Sequence, residues 1–248
     1  MKKLILILFV ILLIPCMSMA GMLQGIVGGG GAVTCSAAYF SDDFTAADGA
    51  DAKRAVWTGE TDTGSLLSIA SNALLFTHTA TTVGYVSKTL ASTYTETWTQ
   101  FTWKPSDIAM GGNTTYMNII YLRNTGAANS IYVRVLNNAG GSITKVFLYY
   151  YTDAAVSTEV GNYTFNPSNG TTYTFKIHTK ISTDVDTSDG VATLYIDGTS
   201  RITASNLDFF TYADIKYVDL GNKYSTFTDT AGKTFTFDNF SIRGDDCF

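Results

Sequence analysis

The chain has 248 residues, 16 basic and 21 acidic side chains, a net charge of −5 and 46% apolar residues. An acidic chain without a basic run excludes a nucleic-acid-binding surface and a ligand for anionic membrane. Three prolines and a charged fraction of 15% argue against disorder, and the length suits one β-sandwich rather than two domains.

Lys2 and Lys3 precede an unbroken apolar run, Leu4 to Leu13, which has signal-peptide rather than bilayer-spanning length. Pro15 breaks the run, and Ser18 and Ala20 offer the small residues that a signal peptidase reads. Residues 1–20 are therefore read as a signal peptide cleaved before Gly21. The alternatives are an uncleaved anchor and a lipoprotein acylated at Cys16, where Pro15 departs from the small residue a lipobox needs. Cleavage takes the charge to −7 (14 basic against 21 acidic residues). No later segment is long and apolar enough to cross a bilayer. Residues 21–35 are Gly-rich and without period, as expected of a flexible linker, and 36–248 form the predicted domain. Cys35 and Cys247 flank it. In an exported protein this even pair is a disulfide candidate, against the alternative of two free thiols at frayed ends.

From Tyr39 onward the dominant period is two, the mark of strands with one buried face. Ala46 to Val56 is the best helical candidate, weakened by Gly49. Residues 131–137 separate Ile131, Val133 and Val135 from Tyr132, Arg134 and Leu136. In KVFLYYYT, Phe147, Tyr149 and Tyr151 share one face and Leu148 and Tyr150 the other. Tyr173, Phe175 and Ile177 oppose Thr174, Lys176 and His178, and Ala192, Leu194 and Ile196 point inward before a turn at Asp197-Gly198. Turn residues at Ser71-Asn72, Asn124 to Gly126, Asn137 to Gly141, Pro167 to Gly170 and Ser188 to Gly190 punctuate the pattern. In 233–243, Phe235 and Phe237 have one parity, Phe240 and Ile242 the other. A β-bulge near Asp238-Asn239 would return both pairs to the core. Closely spaced strands without helices predict an all-β antiparallel sandwich or barrel.

Asp42-Asp43-Phe44, Trp57, the hairpin around Ser71-Asn72, Leu194-Tyr195-Ile196-Asp197-Gly198 and Phe237-Asp238-Asn239-Phe240-Ser241-Ile242 occur in an order that resembles the concanavalin A-like (lectin/glucanase, laminin-G-like) jelly rolls. The resemblance covers residues 39–243. It implies a two-sheet antiparallel jelly-roll sandwich with one concave sheet and adjacent first and last strands, in agreement with the cysteine argument. The superfamily holds lectins, glycanases, polysaccharide lyases, adhesins and structural modules, so the fold does not settle the activity.

The glycanase strings of this fold, Glu-x-Asp-x-x-Glu or Glu-x-Asp-x-Glu, are absent; Glu60, Glu96 and Glu159 are isolated. Asp184, Asp186 and Asp189 lie in a solvated Ser/Thr/Asp-rich turn. Lys176-Ile177-His178 is similar to the Gln-Ile-His of alginate lyases, with Lys in the Gln position, but their Arg-Thr-Glu-x-Arg and Tyr-Phe-Lys-Ala-Gly strings are missing. On the lyase reading, Tyr132 would be the acid/base and His178 would neutralise the uronate. His78 has no partner within motif range. Two histidines and two terminal cysteines give no zinc spacing. A structural Ca²⁺ is a candidate where the terminal strands could bring Asp42 or Asp43 near Asp238, as the resemblance implies. Tyr121, Arg123, Tyr132, Arg134, Lys176 and His178 lie on the polar parity of three strands. If those strands are neighbours, they make a surface for a polysaccharide or surface glycan, and its cations favour an acidic one. The sequence thus points to a secreted or surface carbohydrate-binding module rather than an enzyme, with a structural or adhesive module and a lyase as alternatives. Asn113, Asn162, Asn169 and Asn239 are glycosylation acceptors only in a glycosylating host.

Overall fold

The computed structural model describes residues 35–248 except 80–82, 113, 138–140, 153–155, 185, 210–213 and 229–231. The predicted signal peptide, Cys16 and all of the linker before Cys35 lie outside the described residues, as does the acceptor Asn113.

Among the described residues, fifteen strands build two antiparallel sheets. They are β1 (Phe40–Asp42), β2 (Gly59–Asp62), β3 (Leu67–Ala70), β4 (Ala73–Thr77), β5 (Gly84–Tyr94), β6 (Glu96–Pro105), β7 (Tyr116–Arg123), β8 (Asn129–Asn137), β9 (Ile143–Tyr151), β10 (Ser157–Thr164), β11 (Tyr173–Lys180), β12 (Gly190–Ile196), β13 (Thr199–Leu207), β14 (Ile215–Ser225) and β15 (Thr234–Arg243). The eight-stranded sheet runs β13-β12-β11-β6-β15-β4-β3, with β1 also on β15; the seven-stranded sheet runs β10-β9-β8-β7-β14-β5-β2. The predicted two-sheet antiparallel jelly-roll sandwich is therefore the observed class.

Alternation places the core as expected. Ile131, Val133 and Val135 of β8 face Phe175 and Ile177 of β11 across the sandwich, and all five are fully buried. At the centre, Trp103 stacks on Phe235 with ring centroids 5.8 Å apart and meets Phe175 edge-on at 5.9 Å. Such pairs add about 0.5–1.5 kcal/mol each beyond the area they bury. Ser71 and Asn72 both take positive φ (52° and 56°), the geometry that a two-residue hairpin between twisted strands requires.

The bulge in β15 has a clear role. Thr234–Phe237 pair with β4, and Phe240–Ile242 pair with β1. The register against β6 slips between Asp238 and Ser241, with Asn239 at φ 51°. The irregularity lets one strand serve two successive partners on one flank while keeping Phe235, Phe237, Phe240 and Ile242 inside.

First and last strands are adjacent, and Cys35 and Cys247 are joined with Cα atoms 5.6 Å apart. The bridge closes a loop of 212 residues, a constraint on the unfolded chain of about 5 kcal/mol. Ala46 to Val56 forms no helix: it makes isolated turns, and Asp42 rather than a helical ladder holds it. The Asp42 carboxylate accepts from the Trp57 indole (2.7 Å), the Phe44 amide (2.9 Å) and the Arg54 guanidinium.

Candidate functional site

The outer face of the seven-stranded sheet gathers tyrosines and cations on neighbouring strands. Tyr121 of β7, Tyr132 of β8 and Tyr149 of β9 lie opposite one another in register. Their rings stand on the sheet and stack face to face, with centroids 4.9 and 4.8 Å apart. That spacing is the inter-strand distance itself, so the pleat dictates the ladder. The faces are spent on each other, and Tyr121 and Tyr132 are only 6% and 4% exposed. The Tyr121 hydroxyl is bonded to Asn118 and the Tyr132 hydroxyl to Ser157 (2.7 Å), so what this row presents outward is ring edges and the part-exposed Tyr149 rather than a flat platform.

Arg134 lies beside the ladder. Its Nε donates to Asn118 Oδ1 at 2.8 Å, and Asn118 donates in turn to the Tyr121 hydroxyl. The guanidinium carbon sits 3.7 Å from the Tyr116 ring centre, 4.8 Å from Tyr149 and 5.4 Å from Tyr132. Among the described residues it has no carboxylate partner. A part-exposed cation held by ring faces and a neutral amide keeps its full charge for a ligand.

Two further cations of this face, Arg123 and Lys223, are neutralised from below. Asp219 of β14 is buried and accepts from Arg123 (2.7 Å), Lys223 (2.5 Å) and Ser87 (2.7 Å). Lys223 also lies 4.8 Å from the Tyr121 ring centre. Burial lowers the Lys223 pKa, and the Asp219 charge opposes that fall. Burial likewise raises the phenol pKa of Tyr121, Tyr132 and Tyr149, so all three stay protonated at neutral pH.

The six residues expected to form one surface divide between two. Tyr121, Arg123, Tyr132 and Arg134 come together here. Lys176 and His178 sit on β11, in the other sheet, on its opposite outer face. Strand parity says which residues share a face of a strand; it does not say in which sheet the strand lies. In consequence Tyr132 and His178 cannot act on one sugar, and the pairing expected on the lyase reading does not form. Asn118, Asp219 and Lys223 were missed, and Tyr149, placed on one face of its strand with Phe147 and Tyr151, was not joined to the site. Asn118 and Asp219 sit among apolar neighbours and only the pairing of β7 with β8 and β14 brings them to the site.

The three aspartates considered for calcium do not make a cage. Asp42 is committed to Arg54, Trp57 and Phe44. Asp43 accepts from the Thr45 amide, which lowers its pKa. Asp238 is bonded by Asn239, and burial, then the nearby Asp43 and Asp42, raises its pKa. A cleft of about 520 Å³ runs past Asp42, Asp43 and Asn239, but the Arg54 charge occupies its wall. Among the described residues no group of three or more His, Cys, Asp or Glu is arranged to hold a metal. The Asp184, Asp186 and Asp189 turn bonds its own backbone and Thr183 instead. His78 is buried near Ser225, at 3.2 Å, and lines neither outer face.

No family model matches the chain, and no curated protein does. Solved structures do. An alginate lyase, Aly36B, is 15% identical over 82% of this chain and 95% of its own, with a TM-score of 0.61. The endo-β-1,4-glucuronan lyase of the fungus Trichoderma reesei is 14% identical over 84% and 96%, with a TM-score of 0.62. The receptor-binding domain of botulinum neurotoxin type G is 13% identical over 86% of this chain and 49% of that one, with a TM-score of 0.54. At such identities the likeness is one of fold: this chain has the jelly-roll sandwich that carbohydrate-active enzymes and a receptor-binding domain also use.

Proposed function

We propose that this chain is an exported binding module that holds an acidic polysaccharide on the outer face of its seven-stranded sheet without cleaving it. The observation that carries this is Arg134, a part-exposed cation without a carboxylate partner among the described residues, fixed by Asn118 and three tyrosine rings. A uronate carboxylate would complete it by a bidentate bond, while the part-exposed Tyr149 beside it would serve the sugar hydroxyls. The polysaccharide-acting proteins among the structural neighbours support a glycan as the partner, and the disulfide supports an oxidising compartment.

The non-catalytic reading is supported by the protonated state of the ladder. Elimination needs a group that takes a proton from the sugar carbon, and every tyrosine of the ladder is held in its acid form by burial. One observation favours the lyase as a second reading: Lys223, whose proton affinity burial lowers, stands over Tyr121. It is bonded to Asp219, which restores the proton.

Affinity electrophoresis in alginate and polyglucuronate gels, with ultraviolet detection of unsaturated uronate in the same samples, tests both. The expected result is retardation that weakens with salt, falls at least about tenfold in Arg134→Ala, as one lost charge-assisted contact implies, and comes without product. Retardation equal in Arg134→Ala and wild type would remove the proposed site. Product formed by wild type and lost in Lys223→Met would establish the lyase.

A further inference from the structure

We propose a second glycan-binding surface on the opposite side of the molecule, on the outer face of the eight-stranded sheet, selective for neutral polysaccharide. It is built from Trp98 and Gln100 of β6, Lys176 and His178 of β11, and Tyr195 of β12.

Strand pairing assembles it. Trp98 lies opposite His178, and Gln100 opposite Lys176, which in turn lies opposite Tyr195. The surface is thus two cross-strand rows, one strand step apart. His178 stacks on Trp98 with centroids 3.9 Å apart at 11°. Tyr195 lies 6.0 Å from Trp98, and the Lys176 amine sits 4.7 Å from the Tyr195 ring centre and 5.2 Å from that of Trp98. All five side chains are part-exposed. Elsewhere β6, β11 and β12 present Thr and Lys outward, as a solvated sheet face requires; two large rings there contribute nothing to the core.

Two features identify the ligand. First, the basic groups bordering the rings are already paired: Lys176 with Asp246 at 2.5 Å, His178 with Glu96 at 2.8 Å, and Arg243, opposite Trp98 on β15, with Asp245 at 3.8 Å. A carboxylated sugar would have to displace an acid in each case, whereas a neutral one would not. Second, the Trp98 indole N–H, the Gln100 amide and the Tyr195 hydroxyl make no hydrogen bond within the protein among the described residues, and none of them is buried. Three unspent directional groups beside two rings suit sugar hydroxyls and apolar CH faces. The two sites then differ by charge: an uncompensated cation at one, compensated basic groups at the other. A chain carrying both could bridge an acidic and a neutral polysaccharide, each held in its own right.

Affinity electrophoresis in gels containing a mixed-linkage β-glucan, a galactomannan or an arabinoxylan tests the surface, with alginate in parallel. Wild type should be retarded by at least one neutral polysaccharide. Tyr195→Ala and Gln100→Ala should each reduce that retardation at least tenfold and leave alginate retardation unchanged, while Arg134→Ala should do the reverse. Gln100→Ala removes only a solvated amide, so its fold is secure; the thermal midpoint of each variant checks it. Absence of retardation in all three neutral gels overturns the inference, as does retardation insensitive to both substitutions or lost in Arg134→Ala. Failure in alginate alone would count against the seven-stranded face and leave this one standing.

Discussion

Replacing Asp219 by Asn should expose how the seven-stranded face carries its charge. The wild-type carboxylate is buried and neutralises Arg123 and Lys223, whose side chains are only 15% and 22% exposed. An amide of the same shape leaves two desolvated cations facing one another. Removing one partner of a buried charge network costs about 3–5 kcal/mol. With a urea slope of about 3 kcal/mol per molar, the unfolding midpoint should fall by about 1–1.7 M at neutral pH. The loss should also depend on pH in a definite direction. Burial already lowers the Lys223 pKa, and Asp219 is what holds it up. Without Asp219 the folded chain gives up that proton earlier, while the unfolded chain keeps it to about pH 10.4. Between those limits the unfolded state binds more protons, so the stability of Asp219→Asn rises with pH relative to wild type. Below the folded pKa both states carry the proton and the full penalty stands. The raised phenol pKa values of the ladder act oppositely at alkaline pH, but they are common to both proteins and cancel in the difference. Urea denaturation of both proteins, at neutral pH and near the lysine range, measures it. A midpoint shift under about 0.3 M, or a difference flat in pH, would refute the account of Asp219 as the counter-charge of this face.

Other outcomes are equally specific. Cys35→Ser/Cys247→Ser should lower stability by up to about 5 kcal/mol, chiefly through the unfolded chain, while β1 still pairs with β15; a urea midpoint equal to that of oxidised wild type would contradict this. Gly221→Ala should cost about 3 kcal/mol or more, because φ is 120° and a Cβ would stand 2.6 Å from the Gly84 carbonyl oxygen; a wild-type thermal midpoint would refute it. Trp103→Ala should lose about 3–5 kcal/mol by opening the centre of the sandwich, read in the same denaturation assay.

Much of the fold was legible because a half-buried strand writes its face into alternate residues. Phe175 and Ile177 against Lys176 and His178 needed no more than that. The bulge was legible for the same reason: two pairs of apolar residues of opposite parity within 233–243 require an extra residue between them. What alternation does not carry is the identity of the neighbouring strand. β11 and β8 look alike as sequences, both with cations and rings on the polar face, yet β6 and β12 flank one while β7 and β9 flank the other. The candidate site therefore came out as one surface from the sequence and as two in space. Asp42 shows a further limit. Its acidity suggested a metal ion, and its actual partners, the Arg54 guanidinium, the Trp57 indole 2.7 Å away and the Phe44 amide, depend on how the segment after β1 turns back.

The placement of β15 bears on how the molecule comes to be folded at all. It follows the other described strands in the chain, and it sits inside its sheet, between β6 on one side and β4 with β1 on the other. Until it arrives, the β13-β12-β11-β6 ribbon and the β3-β4 hairpin share no hydrogen bonds within their sheet, and each exposes an unpaired edge. A chain cut short before Thr234 would keep the seven-stranded sheet but leave the facing one split, with two bare edges inclined to aggregate. The segment acts as a keystone, and its long-range pairings make a slow, late closure the expected final step of folding.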